Sequence, residues 1–470
     1  MNWKKRKYTE QLLCNNLKIS YCNININMIL SQETLETYLK TILNVIHTYE
    51  WLLDLYVLDF FIGGHWNKLP QSWRTTFGDI DPQVLGTIID GKSSNMVLPL
   101  SFLCLMKSVE HLSIPRKNNH SGNNSHKEST ELCVHNQKLN NLFLKHVKLK
   151  KRHEIIMMTD VVNDITIQTS CKAVLDFGSG LGHLVRMLAY RYELSTAGIE
   201  CQSQLTEQAR NLDREFEYTV SKILPKENMK KLLSPVHINT KLSCHQQLCQ
   251  IELPGTMEMY GVVGLHPCGD LGPLLLKHFV NSECVRFICL VGCCYMKLTN
   301  YGYPMSSFTK RLDSSLSYAS REIACHAIEV YCERLRNGNY EDLKVHAYRA
   351  ALESILVEID PSLKHTQIRS IKHCNALSFE RYCEIALERL SVPCPAADSH
   401  TWVRARLFVE QWRRVLVVYT LRLALAPLVE SAILLDRMLY VLENGLSCEI
   451  RPVFDPKISP RNHIMIAKRA

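Results

Sequence analysis

The stretch from Ala173 to Glu200, AVLDFGSGLGHLVRMLAYRYELSTAGIE, constrains the fold more than any other part of the chain. A short apolar run, Ala173 to Leu175, reads as a strand and is followed by an acid, Asp176. A glycine turn comes next, Gly178-Ser179-Gly180-Leu181-Gly182. Leu184, Met187, Leu188 and Tyr192 then recur at spacings of three and four, the period of a helix. A second apolar run, Ala197 to Ile199, ends on Glu200. Together these make one β-α-β unit with a turn shaped to meet a ligand.

The residue types say what kind of ligand. Glycines at 178, 180 and 182 let the backbone turn tightly and approach a bound group, because no Cβ intervenes. An acid closing the second strand can accept hydrogen bonds from both hydroxyls of a ribose. Dinucleotide enzymes use G-x-G-x-x-G, which seats a pyrophosphate on the helix N-terminus. Here the spacing is G-x-G-x-G, and Asp176 stands two residues before the first glycine. That acid suits a cationic amino-acid moiety better than a pyrophosphate. The pattern resembles motif I of the S-adenosylmethionine (SAM) methyltransferases, with Asp176, Gly178, Ser179, Gly180, Gly182 and Glu200 as the cofactor-binding set.

The rest of the chain can supply the fold that this unit demands. It has 470 residues, 46% of them hydrophobic, enough for two or three structural units. The net charge of +9 suits RNA or another acidic partner without specifying one. The 19 cysteines contain no C-x-x-C pair, and the N-terminus carries charges but no apolar run of signal-peptide type. Unpatterned cysteines imply free thiols and a reducing, intracellular compartment, cytoplasm or nucleus. The most apolar region, Val415 to Leu439, is interrupted by Arg422, Pro427, Glu430, Asp436 and Arg437, short of the roughly 18 uncharged residues of a membrane span. It reads as one or two buried amphipathic helices, and no membrane association is expected.

In order, residues 1–115 read as helical, with Trp66 and Trp73 pinning a loop onto a core rather than stacking on a base. Residues 116–140 are a polar linker. A core domain spans 141–300, a helical elaboration 301–440, and two closing strands 441–470. Lys145 to Glu154, KHVKLKKRHE, is the most basic run and lies on a helix just before the first strand, which nominates Lys150, Lys151 and His153 for phosphate contacts. A third strand is expected at Val236 to Leu242, where an acid for the adenine amine is missing and Asn239 or His245 would have to substitute. Met259 to Leu265 and Val285 to Val291 read as the fourth and fifth strands, and Gly445 to Pro452 and His463 to Ala467 as the antiparallel closing pair.

In an open α/β sheet, ligands bind beyond the carboxyl ends of the strands. The loops His266-Pro267-Cys268-Gly269-Asp270 and Gly292-Cys293-Cys294-Tyr295-Met296-Lys297 therefore lie on the acceptor side. His266 either takes a proton from the acceptor or fixes its loop by hydrogen bonding. Tyr295 can stack on a planar acceptor. Asp270 belongs to the same acceptor side and is placed to cap the helix that follows. Cys293 and Cys294 could bind a metal with Cys268 and His266, but adjacent cysteines are poor joint ligands for one ion and no C-x-x-C supports them, so they are read as small buried residues on that side and no metal is expected. The Asn/Asp-Pro-Pro-aromatic signature of amino-methyltransferases is absent.

DFGSGLGHL, GLHPCGDL and VGCCYMKL, with the upstream KKRHE, resemble the methyltransferase-like protein 25 family, which includes proteins described as containing a ribosomal RNA adenine dimethylase domain. SREIACHAIE (Ser320 to Glu329), HAYRAALE (His346 to Glu353), PVFDPKISPRN (Pro452 to Asn462) and the N-terminal FFIGGHWNKLPQSW extend the resemblance. It implies an α/β, Rossmann-like class I SAM methyltransferase sheet, with an N-terminal helical region and a large helical insertion before the last two strands. The expected function is a SAM-dependent methyltransferase acting on RNA or a ribonucleoprotein, with a protein side chain as second acceptor class. The alternative is an inactive methyltransferase-like scaffold that binds RNA or protein. A nicotinamide dehydrogenase fits the glycine spacing least.

Overall fold

A computed structural model describes residues 31–92, 95–117, 147–223, 232–242, 257–369, 376–396 and 399–469, with the single positions 143, 248, 251, 253 and 371. Nearly all of the expected polar linker, the polar segment 225–231 and His245 lie outside the described residues.

Seven strands form one sheet: β1 Ala173–Phe177, β2 Ser195–Glu200, β3 Val236–Asn239, β4 Tyr260–Gly264, β5 Val285–Val291, β6 Ser447–Pro452 and β7 His463–Lys468. Their order is β3-β2-β1-β4-β5-β7-β6. Strands β1 to β5 run parallel, while β7 lies antiparallel between β5 and β6. This is the Rossmann-like sheet of a class I methyltransferase, with the antiparallel closing pair at its edge. Parallel strands covered on both faces become continuously apolar, which is why VRFICLV and YGVVG show no polar alternation.

The helices that frame the sheet and its elaboration are α1 Gln32–Thr48, α2 Pro82–Ile89, α3 Leu100–Leu112, α4 Leu149–Thr169, α5 His183–Tyr192, α6 Ser203–Ser221, α7 Leu271–Asn281, α8 Tyr318–Ile323, α9 Ile328–Arg336, α10 Val345–Ile359, α11 Phe379–Leu390, α12 His400–Glu410, α13 Trp412–Leu423 and α14 Ala426–Glu443. Strand residues alternate between the two faces of the sheet. Val174, Val263, Phe287, Cys289 and Ile466 pack with Ile155, Met158 and Val162 of α4 and Leu184 and Leu188 of α5. Leu175, Phe177, Ile199, Val262, Ile288 and Leu290 share the opposite core with α7, α14 and the N-terminal helices. Gly261 sits beside Phe287 in the β4–β5 ladder. A Cβ there would fall 2.0 Å from the Phe287 ring, so the missing side chain makes room for it.

The N-terminal helices and those that follow β5 share one apolar core on that face, with α1 against α14 and α2 against α9. Trp73 is buried in it and donates its indole N–H to Ser101 Oγ at 2.9 Å. Within the helical elaboration, α8 and α9 are separated by a short break at Ala324–Ala327. Trp412–Glu443 is apolar enough by composition to cross a membrane. It is divided between α13 and α14, with Pro427 in the first turn of α14, and 89% of its most apolar window is buried within the protein.

Candidate cofactor and acceptor site

The glycine turn leaves β1 and enters α5. Gly178, Gly180 and Gly182 have φ of 78°, 57° and 68°, the left-handed region that an L side chain rarely adopts. Gly182 is also closed by space, because a Cβ there would meet the His237 ring at 2.5 Å. Nothing lies within 4 Å of where a Cβ on Gly178 or Gly180 would stand, so the turn borders open space. The Gly178 and Ser179 amides both donate to Ile199 O, at 2.8 and 3.2 Å, pinning the turn to the end of β2. The Ser179 hydroxyl lies beside Gly198 and has no hydrogen-bond partner among the described residues.

Glu200 closes β2 and is buried. Its Oε2 accepts the Gly180 amide at 3.0 Å, and its Oε1 accepts the Gln202 amide at 2.9 Å. A carboxylate offers about four acceptor positions, so capacity remains for ligand hydroxyls. Asp176, near the end of β1, is buried too. Burial pushes its carboxyl up to about 7; Lys151 pulls it back and Glu200 adds to the rise. A carboxyl held so high is stabilised by any cation that joins it.

The frame beneath the turn was not legible in the sequence. Arg186 of α5 donates from Nε to Asp213 Oδ1, and His237 of β3 lies 2.5 Å from Asp213 Oδ2. This buried triad ties α5, α6 and β3 together and presses the His237 ring against Gly182. His183 lies beside Arg186, at 3.2 Å. Burial, with Arg186 and Lys151, pulls the His183 ring down to about 4. Asn239 is committed to structure, its amide donating to Glu200 O at 2.9 Å and Thr206 Oγ1 at 3.3 Å.

On the acceptor side, His266 Nε2 stands 3.1 Å from Glu154 Oε2 of α4. Glu154 is almost fully buried and also accepts the Ser459 hydroxyl at 2.6 Å. Burial alone would raise its carboxyl, but the hydrogen bonds from His266 and Ser459 outweigh that and hold it below the ordinary range. An ionised Glu154 fixes the His266 proton on Nε2 and leaves Nδ1 as the acceptor. Lys150 reaches Glu154 at 3.5 Å from the exposed first turn of α4. His153 Nε2 accepts the Asp455 amide at 3.0 Å, tying α4 to the β6–β7 connection.

Two acceptor-side expectations are corrected. Tyr295 is completely buried, so it is not available to stack on an acceptor. Its ring folds back over Gly292, and its hydroxyl donates to Glu430 Oε1 of α14 at 3.0 Å. Asp270 makes no side-chain cap to α7. Its carboxylate instead accepts the Thr299 amide at 3.0 Å and hydroxyl at 2.6 Å, stapling the two acceptor-side loops together. The sulfurs of Cys268, Cys293 and Cys294 converge, where no metal-ligand geometry was expected.

Strand order, a glycine turn of three left-handed residues and an acid closing β2 define a methyltransferase-type domain. Residues 150–301 match a protein family described as a methyltransferase domain. The mouse protein described as "Probable methyltransferase-like protein 25" is 28% identical over 223 residues, covering 44% of this chain and 37% of its own length. Its human counterpart is 27% identical over 223 residues, covering 44% and 36%. Residues 150–301 thus carry a methyltransferase-type domain, and the chain is similar to methyltransferase-like protein 25 over little more than a third of those relatives' length. Among solved structures, the methyltransferase domain of a bacterial Hen1 is similar at 8% identity and a TM-score of 0.25, over 66% of this chain and 97% of that one. At that score the likeness does not bear on the fold, which rests on the strand order itself.

Proposed function

We propose that the chain is a SAM-dependent methyltransferase with RNA as its acceptor. The observation that carries the reading is the buried Asp176 carboxyl beside the turn whose Gly180 amide is held by Glu200. The residues present fit the cofactor: a cation-seeking acid for its amino-acid end, open space along Gly178 and Gly180, and a partly occupied carboxylate for its ribose. SAM, when bound, supplies an electrophilic methyl group.

Methyl transfer from a sulfonium asks little covalent chemistry of a protein. The residues must align the acceptor and remove its proton. His266, oriented by Glu154, takes that proton on Nδ1. RNA is favoured by the net charge of +9 and by the exposed Lys148, Lys150 and Arg152 at the start of α4, next to Glu154. The free cysteines among the described residues favour a reducing, intracellular setting.

The second reading, a non-catalytic scaffold, rests on the missing acid at the end of β3, where Asn239 is engaged with Glu200 and Thr206. Tritium transfer from labelled SAM separates the two. Label removed by ribonuclease is the expected result, label surviving ribonuclease but not protease moves the acceptor to protein, and no transfer with intact SAM binding returns the scaffold.

A further inference from the structure

The loops after β4 and β5 do more than border an acceptor. Cys268 Sγ lies 3.7 Å from Cys293 Sγ and 3.3 Å from Cys294 Sγ, and the latter two sulfurs are 3.4 Å apart. A tetrahedral ion with metal–sulfur bonds of about 2.3 Å has sulfur–sulfur edges of about 3.8 Å. The observed triangle is within about half an ångström of one face of that tetrahedron. A disulfide would need two of the sulfurs at about 2.05 Å, and no pair is close to it.

The backbone is shaped to gather these sulfurs. Neighbouring cysteines normally point apart, but Cys294 adopts φ 45°, a left-handed conformation uncommon outside glycine, and so turns its sulfur to the same side as that of Cys293. Gly269, next to Cys268, has φ 59°, and a Cβ there would come within 3.0 Å of Lys297 O. The two loops interlock at that point. Asp270 holds them together from the other side through Thr299.

We infer that Cys268, Cys293 and Cys294 form a binding site for a thiophilic divalent cation, Zn²⁺ by its chemistry, with a fourth coordination position open toward solvent. Three sulfur donors favour zinc-like ions over the oxygen-seeking Mg²⁺ and Ca²⁺. Cys268 is exposed, whereas Cys293 is buried and Cys294 intermediate, so the triangle has an inner and an outer side. A structural zinc site is closed by four protein ligands; three with an open vertex are the catalytic pattern. Three thiolates on a divalent ion carry a net charge of −1, and Lys297 and Arg461 are the cations that act on Cys268 and Cys293. Metal uptake displaces the thiol protons to solvent. Such an ion clamps the two loops together and offers its open vertex to water or to a donor atom of the acceptor, two residues from His266. The metal site stands independently of the methyl-transfer reading.

The test uses the full chain, purified under reductant without chelator and with any affinity tag removed. Elemental analysis is expected to give one zinc per chain, retained in Cys104→Ser, an exposed cysteine elsewhere, and lost in Cys268→Ser. Because the variant could lose metal by misfolding, the wild-type chain is also stripped and titrated with Co²⁺. The expected result is strong thiolate-to-cobalt absorption with the ligand-field bands of a four-coordinate ion. Affinity in a folded Cys268→Ser is expected to be weaker by at least about tenfold. An octahedral cobalt spectrum in the wild type, equal zinc in Cys268→Ser, or a disulfide among these three cysteines under reductant would overturn the site. No readout involves SAM, so failure of the methyltransferase reading would show separately.

Discussion

Glu154 and His266 are 112 residues apart in sequence and 3.1 Å apart in the fold. The contact joins KKRHE at the start of α4 to GLHPCGD after β4, two motifs that otherwise have no evident reason to occur together. It also gives His266 a defined tautomer, because a buried, ionised carboxylate takes the Nε2 proton.

Glu154→Gln keeps the shape and a hydrogen bond to Ser459 but removes the charge that orients His266. Methyl transfer is expected to fall by about 10–100-fold while SAM affinity stays unchanged. Steady-state rates with labelled SAM, set beside a calorimetric Kd, check this. A parallel loss of SAM affinity would show that Glu154 acts on the cofactor pocket instead.

Asp176 predicts a pH dependence. Its carboxyl sits at about 7 in the folded chain against an ordinary 3.8. With a raised folded value, the group costs no stability below about pH 4, and the cost grows as pH rises toward 7. A cationic ligand reverses the preference, since it needs the ionised form. SAM affinity is therefore expected to climb by up to about tenfold per unit between about pH 5 and 7, then level off. Lys151 and Glu200 are the charges that act on this acid, and neither is changed in the test. Asp176→Asn should give weaker binding with a flat profile; an unchanged slope would place the titration elsewhere.

Tyr295→Phe removes the hydroxyl that donates to Glu430, which Arg116 still holds at 2.6 Å. A loss of about 1–2 kcal/mol in stability is expected, with SAM affinity and transfer rate unchanged. Denaturant unfolding together with a rate measurement checks it. A rate effect without a stability effect would restore this residue to the reacting centre.

At the glycine turn, Gly182→Ala meets both a φ of 68° and the His237 ring, and should cost about 1–3 kcal/mol. Gly180→Arg shares the positive φ, at a cost of about 1–2 kcal/mol, but faces open space, so it should keep the fold and abolish SAM binding. Melting curves and calorimetry on the pair separate a structural glycine from one that faces ligand.

These sites mark what a sequence can disclose. The unit from Ala173 to Glu200 was legible because its signal is local: helical spacing, three glycines and a terminal acid all fall within one β-α-β unit. The β5 strand and the closing pair were legible from apolar runs of the right length. The Arg186–Asp213–His237 triad was not, because its members sit on α5, α6 and β3 and meet only when the sheet assembles. The same holds for Glu154 with His266. Tyr295 was misread because an aromatic in an acceptor-side loop looks like a stacking platform; only the fold shows that Gly292 leaves room for the ring to turn inward. The three sulfurs were weighed as metal ligands and set aside, because adjacent cysteines normally point apart; only the fold shows them brought together from two loops.

The central claim is that the turn between Asp176, Gly180 and Glu200 binds SAM. Calorimetric titration of the purified full chain with SAM tests it most directly, with NAD as comparator and Glu200→Ala beside the wild type. Micromolar SAM binding that is lost in Glu200→Ala, with no heat from NAD, is the predicted result. A folded wild-type chain that takes up no SAM, or a Glu200→Ala chain that binds it as well as the wild type, would contradict the account.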